Sequence, residues 1–232
     1  MILLKLEHID AGYGKKQVLF DISFNLLKGE TAILIGANGS GKSTLIKTVY
    51  GLIEPWNSKG KIWFRDGEIN KSKTSHLIKK GIIYIPQLNE LFDDLTVNEN
   101  LELSCIHNVP QKGLKKRIDE VLEQIPTLKS LLKQECYRLS GGERKQLSFG
   151  MALTNRPELI MFDEPLSGTS PKNTEDIIQL LIGLKKKGIT LLVVEHRVKK
   201  VFELADRIIG LKFGRLFNKT IESLNDISEV ML

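Results

Sequence analysis

The sequence predicts an α/β fold built on a largely parallel, buried sheet, with a small antiparallel sheet beside it and a helical insertion. Two observations carry the parallel sheet. Five short runs, Thr31–Ile35, Gly81–Ile85, Leu159–Phe162, Thr190–Val194 and Arg207–Leu211, are apolar nearly throughout rather than alternating. That is how strands covered on both faces read. Helical patterns lie between several of them: Ile177, Leu180, Leu181 and Leu184 recur at i, i+3, i+4 and i+7, and Gly188 supplies a stop. Strands alternating with helices favour parallel pairing through right-handed crossovers.

In chain order, the first 30 residues and Gly60–Ile69 read differently. KIWFRDGEI alternates in part and carries an Asp66-Gly67 turn signal, so these stretches are expected to form the antiparallel sheet. A helix is expected over Thr44–Tyr50. From about Leu88 to Leu153 polar and apolar residues mix with no buried-strand run, which predicts helices inserted into the sheet domain. Lys185-Lys186-Lys187 sits at a helix C-terminus, where the dipole favours cations, and reads as a solvated helix end. There are no internal repeats.

Composition narrows the function classes. The chain has 232 residues, 41% hydrophobic and 27% charged, with a net charge of +6. It can bury a core and is too apolar to be disordered. The mild positive charge suits an anionic ligand, a membrane surface or nucleic acid, and chooses none of them. Cys105 and Cys136 cannot build a disulfide framework and read as reduced thiols. The N-terminus turns polar after four residues, unlike a secretory signal, and no apolar run approaches the ~18 residues of a membrane span.

Gly36-Ala37-Asn38-Gly39-Ser40-Gly41-Lys42-Ser43-Thr44 fits G-x-x-x-x-G-K-[ST], after a predicted strand and before a predicted helix. The glycines let backbone N–H groups wrap an anion, and the helix start adds positive potential. Lys42 would place a cation on the β- and γ-phosphates, and the Ser43 hydroxyl would ligate Mg²⁺. Leu159–Phe162 ends in Asp163-Glu164, at the carboxyl end of a strand, where ligands bind such sheets. Asp163 there can hold Mg²⁺, directly or through water and Ser43, and Glu164 can polarise a water for in-line attack. Alone, the pair could be two solvated acids in a turn; the phosphate loop decides otherwise.

A third motif, Leu139-Ser140-Gly141-Gly142-Glu143-Arg144-Lys145-Gln146, offers a hydroxyl, two glycines and a helix expected to begin near Glu143. That is a second anion-binding helix start, one more than a single nucleotide needs. This motif resembles the signature of ATP-binding cassette (ABC) ATPases, and the resemblance covers essentially the whole chain. It implies a P-loop NTPase fold with a RecA-like core. The chain would be one domain, 1–232, with the core and antiparallel sheet over 1–87 and 157–232 and a helical subdomain over about 88–156. It also implies two ATPs sandwiched head to tail between two copies. Ser140, Gly141, Gly142 and Glu143 of one copy would then close on the nucleotide held by Gly36, Asn38, Gly39, Ser40, Gly41, Lys42, Ser43 and Thr44 of the other. Tyr13 matches the aromatic stacked on adenine. Gln87 matches the glutamine that reaches Mg²⁺ and the attacking water and hinges the helical subdomain. His196 matches the histidine that holds the γ-phosphate and positions Glu164. His8, His76 and His107 match nothing and read as surface or structural residues.

One departure concerns Ser167-Gly168-Thr169-Ser170-Pro171, where the family often has Leu-Asp before the proline. Ser170-Pro171 still makes a good helix cap. Either coupling across the dimer is looser, or the serine hydroxyl substitutes in part. LIGANGSGKST, LTVNENL and the Glu in the signature resemble branched-chain amino acid importer ATPases.

Such a cassette needs a partner. Leu88, Leu91, Phe92, Leu95 and Val97 lie among Asn, Glu and Asp, so this loop is either packed in its own subdomain or covered by another protein. The expected function is the ATP-hydrolysing subunit of a membrane transporter for amino acids or another small solute. It would dock transmembrane permease subunits near Leu88–Val97 and pair with a second ATPase subunit. It would bind no nucleic acid and lie in the cytoplasm against the inner face of the membrane, held there indirectly. The alternative is a soluble ATPase of the same type, as in iron–sulfur cluster assembly. A chromosome or DNA-repair member is excluded by the short, heptad-free interval between Lys42 and Ser140.

Overall fold

The computed structural model describes residues 1–56, 59–88, 91–106, 108–196, 201–217 and 227. In chain order it has β1 (Ile2–Tyr13), β2 (Lys16–Leu27), β3 (Thr31–Ile35), α1 (Lys42–Val49), β4 (Lys61–Phe64), β5 (Gly67–Glu68), α2 (Thr74–Lys79) and β6 (Ile82–Ile85). There follow α3 (Val97–Cys105), α4 (Leu114–Gln124), α5 (Gly141–Leu153), β7 (Leu159–Asp163), α6 (Pro171–Lys186), β8 (Thr190–Val194), β9 (Arg207–Lys212) and β10 (Arg215–Leu216). All five apolar runs are strands of one six-stranded sheet, ordered β10-β9-β3-β8-β7-β6. Its members pair in parallel except for β10. The early segments form a four-stranded antiparallel sheet, β2-β1-β4-β5. No helix among the described residues is long and apolar enough to cross a membrane.

The parallel strands are apolar nearly throughout because each face meets a different layer. Ala32, Leu34, Met161, Leu192 and Val194 pack with α1 and the antiparallel sheet. Their neighbours Ile33, Ile160, Phe162, Leu191 and Val193 pack with the helices after β6 and with α6. Residues alternate between the two clusters with the period of the pleat. Val97, Leu101, Val121 and Leu147 of the helical stretch share that second cluster with the sheet, and the Phe149 and Phe162 rings lie 4.7 Å apart between α5 and β7. Val201 belongs to the same cluster.

Some local expectations shift by one or two residues. α1 begins at Lys42 rather than Thr44, because Gly41, at φ 107, already turns the chain into the helix. α5 begins at Gly141 rather than Glu143. Ser140 is its N-cap, and Glu143 is the third helical residue of a capping box. The β4–β5 turn is Arg65-Asp66, with Arg65 carrying the positive φ and ion-paired to Glu158; Gly67 already belongs to β5. Gly188, at φ 73, ends α6 as expected.

Candidate functional site

The C-terminal end of β3, the loop to α1, and the ends of β6, β7 and β8 converge on one cavity of about 530 Å³. Gly36-to-Gly41 curls so tightly that Gly39 and Gly41 take φ of 80 and 107. Lys42 and Ser43 therefore sit in the first turn of α1, where free amides and the helix dipole face the cavity. Lys42 is buried, and its ammonium donates to the carbonyls of Gly36 at 2.7 Å and Ala37 at 2.9 Å. Burial pulls its pKa below the ordinary lysine range, while the charges of Glu164 and Asp163 favour its protonated form.

The two acids at the end of β7 do different things. Asp163 is buried, and its Oδ1 accepts from the Ser43 hydroxyl at 2.9 Å. Its Oδ2 accepts from the Tyr84 hydroxyl at 3.2 Å. Glu164 adopts φ 53, an unfavourable backbone for a side chain of this kind, which turns it away from the strand. Its backbone amide donates to the carbonyl of Val194. Its Oε2 accepts from Gln87 Nε2 at 2.7 Å and lies 3.6 Å from His196 Nδ1. Gln87 Nε2 also donates to the Ser167 hydroxyl at 3.2 Å.

The cavity thus gathers Tyr13, Asn38, Gly39, Gly41, Lys42, Ser43, Thr44, Gln87, Glu164 and His196. Tyr13 is half exposed at its edge. Gly36 accepts the Lys42 ammonium from below, and Ser40 has a buried hydroxyl within 2.6 Å of where a Cβ on Gly36 would lie. Ser140, Gly141, Gly142 and Glu143 are not in this wall; Gly141 lines a separate cavity with Gln87 and Ser167. At that second helix start, the Ser140 hydroxyl donates to Glu143 Oε2 at 2.7 Å, and the Ser140 amide to the same oxygen at 2.8 Å. Ser140 and Gly141 are exposed, but Gly142 is buried. A Cβ there would lie 2.4 Å from Asn173 Cγ, which accounts for the second glycine by helix packing.

Ser43 and Asp163 offer hard oxygen donors side by side, facing a phosphate-sized cradle. Among the described residues no group of three His, Cys, Asp or Glu could hold a metal ion. Two protein oxygens of this kind suit Mg²⁺, which takes one or two carboxylates and completes its shell with phosphates and water.

Two residues at this site escaped the sequence reading. Glu195 has no exposed surface. It accepts from the amides of Leu166 and His196, tying the loop after the acids to the end of β8. Tyr84 bonds Asp163 across neighbouring strands. An acid closing an apolar run was the only sequence signal for the first; the second had none. His8 donates its amide to Ser23 and pairs its ring with Asp21, and His76 is exposed on α2. His107 lies outside the described residues.

The apolar loop divides. Val97 is buried, Leu91 and Leu95 are half-buried, and Leu88 and Phe92 are exposed by 71% and 55%. Phe92 forms the rim of an apolar groove of about 430 Å³, lined by Tyr50, Ile83, Tyr84, Met151 and the exposed Ile106. The Ser148 hydroxyl is buried in this groove without a hydrogen-bond partner. The buried Lys145 of α5 donates to the Gln87 carbonyl at 3.1 Å, joining that helix to the loop.

A family model described as "ABC transporter" matches residues 19–167. A probable branched-chain amino acid transport ATP-binding protein, LivF of Archaeoglobus fulgidus, is 35% identical over 96% of this chain and 94% of its own. Among solved structures, a nucleotide-free ATP-binding cassette from an ABC transporter superposes with a TM-score of 0.88 at 28% identity, covering 99% of this chain and 96% of the other. A dimeric, post-hydrolysis ATP-binding cassette bound to ADP and phosphate superposes with a TM-score of 0.81 at 27% identity, covering 96% and 100%.

Proposed function

The chain belongs to the ABC transporter family and is one of its ATP-binding, ATP-hydrolysing subunits, and from that premise we propose that it powers the uptake of amino acids, branched-chain ones foremost. The observation that carries the mechanism is the convergence of Lys42, Ser43, Glu164, Gln87 and His196 on one cavity, with Asp163 bonded to Ser43 behind it. The loop amides and Lys42 bind the triphosphate, and Tyr13 stacks on the base at the cavity's edge. Glu164 takes the proton of the attacking water, with Gln87 orienting its carboxylate and the water, and His196 holding the γ-phosphate against it. Ser43 and Asp163, with Gln87, would hold Mg²⁺, which neutralises charge on the phosphate oxygens when bound.

The signature residues Ser140 to Glu143 lie outside their own nucleotide cavity, which supports their serving the nucleotide of a second copy. Two copies then close head to tail around two ATPs; that a solved relative is dimeric with ADP and phosphate bound supports the pairing. We read the chain as one ATPase domain, with its helical part over about 88–156 forming the face that meets a permease. The groove beside Leu88–Val97 takes an apolar cytoplasmic segment of that permease, which holds the chain against the inner face of the membrane. ATP binding closes the pair and hydrolysis reopens it. Glu164→Gln is expected to slow hydrolysis about 10²–10⁴-fold while retaining ATP and running at twice the monomer mass. A variant that still hydrolyses at the wild-type rate removes Glu164 as the base. One that stays monomeric in saturating ATP removes the sandwich.

A further inference from the structure

Asp163 is held from two sides, and the two sides lead to different parts of the molecule. Its Oδ1 faces Ser43 in the first turn of α1. Its Oδ2 is taken by Tyr84, which sits opposite Met161 in the β6–β7 ladder, two residues before Asp163. In that bond the Tyr84 hydroxyl is the donor and the carboxylate the acceptor. The Tyr84 ring tilts against Tyr50, with centroids 5.5 Å apart. Tyr50 is the C-cap of α1, the helix whose other end carries Lys42 and Ser43. Both rings line the apolar groove that Phe92 and Ile106 rim. One tyrosine therefore touches the groove with its ring and the carboxylate with its hydroxyl.

We propose that Tyr84 is a positioning residue for Asp163: it holds back one carboxylate oxygen so that the other faces the cation carried by ATP, and it passes the state of the groove to that carboxylate. This rests on the reading of Asp163 as a cation ligand. A carboxylate with both oxygens free can rotate and swap them. With Oδ2 tied to Tyr84, only Oδ1, beside Ser43, is presented to the phosphates. Hydrogen bonds of this kind, one shell out from a metal, are worth about 10- to 100-fold in metal affinity. An occupant that displaces the Tyr84 ring must lengthen or bend its bond to Asp163, because ring and hydroxyl are one rigid body.

The test uses the full chain with Mn²⁺ and a non-hydrolysable ATP analogue, reading bound Mn²⁺ by electron paramagnetic resonance. Tyr84→Phe keeps the ring and the groove wall and removes only the hydroxyl. It is expected to weaken Mn²⁺ binding about 10- to 100-fold, with metal-free nucleotide affinity unchanged and the thermal midpoint lowered only by the few degrees that one lost buried hydrogen bond costs. Asp163→Asn is the control. If it loses Mn²⁺ and Tyr84→Phe does not, the positioning role is overturned and the cation reading stands. If Asp163→Asn binds Mn²⁺ like wild type, both fall. Ala152→Leu fills the groove from α5, where Ala152 is part of the lining. It is expected to change Mn²⁺ affinity by roughly twofold or more, and to lose that effect when Tyr84 is Phe. An Ala152→Leu chain with wild-type Mn²⁺ affinity, or with the same shift in both backgrounds, overturns the relay through Tyr84.

Discussion

Gly142→Ala separates packing from nucleotide contact at the second helix start. The added Cβ would lie 2.4 Å from Asn173 Cγ, 2.5 Å from Nδ2 and 2.8 Å from Oδ1. Contact at that range forces the Asn173 side chain or the α5–α6 spacing to move. Such overpacking costs about 1–3 kcal/mol. Alanine recovers about 0.5–1 kcal/mol of helix propensity, so the net loss is roughly 0–2.5 kcal/mol. Urea unfolding of Gly142→Ala, Asn173→Ala and the double variant measures it. The double variant, with the clash removed and the propensity kept, should be at least as stable as Asn173→Ala alone. If Gly142→Ala changes stability by the same amount in the wild-type and Asn173→Ala backgrounds, the packing account of this glycine is wrong. Hydrolysis then reads the remaining question. A double variant with restored stability and wild-type turnover assigns the glycine to packing alone; restored stability without turnover assigns it to the nucleotide as well.

Lys42→Ala should weaken ATP binding by roughly 10²-fold or more, since it removes a charged partner of the phosphates; titration calorimetry checks it, and unchanged affinity undoes the phosphate-loop assignment. Thr96 caps α3 through a reciprocal bond with Glu99, so Thr96→Ala should cost about 1 kcal/mol and lower the thermal midpoint by about 2–4 °C. Ser170 caps α6 by accepting from the Asn173 amide. Asp caps as well as Ser, so Ser170→Asp should leave unfolding free energy within about 0.5 kcal/mol; a larger loss would show that the serine does more than cap.

The parallel strands were legible because burial on both faces leaves an unbroken apolar run, and the cavity's floor because the phosphate loop and the acid pair each need their residues consecutively. Helix starts were read two residues late at α1 and α5. In both cases the glycines looked like loop, while the capping geometry had already committed the chain to helix. The β4–β5 turn slipped by one residue, since the positive φ fell on Arg65 and not on the glycine that advertised it. Tyr84, Asn173 and Glu195 stayed invisible because each acts through a contact set by strand register or helix docking, which no local pattern encodes. The loop after Gln87 could be read either way because it does both things: Val97 is core, and Leu88 and Phe92 face solvent.

The placement of the two acids has a consequence for control. Asp163 is the last residue of β7, and Glu164 follows it. One partner of each, Tyr84 for Asp163 and Gln87 for Glu164, comes from β6 or the turn just after it. β7 is flanked on both sides by parallel partners, whereas β6, among the described residues, lies at the edge of the sheet and is held by one ladder. An edge strand with one set of hydrogen bonds opens at lower free energy than a central one. Beyond β6 lie the groove and the loop that Lys145 ties to α5. A displacement entering from the helical side therefore reaches β6 before it reaches β7. Tyr84 and Gln87 lie on that route, whereas Ser43, the other partner of Asp163, sits at the start of α1.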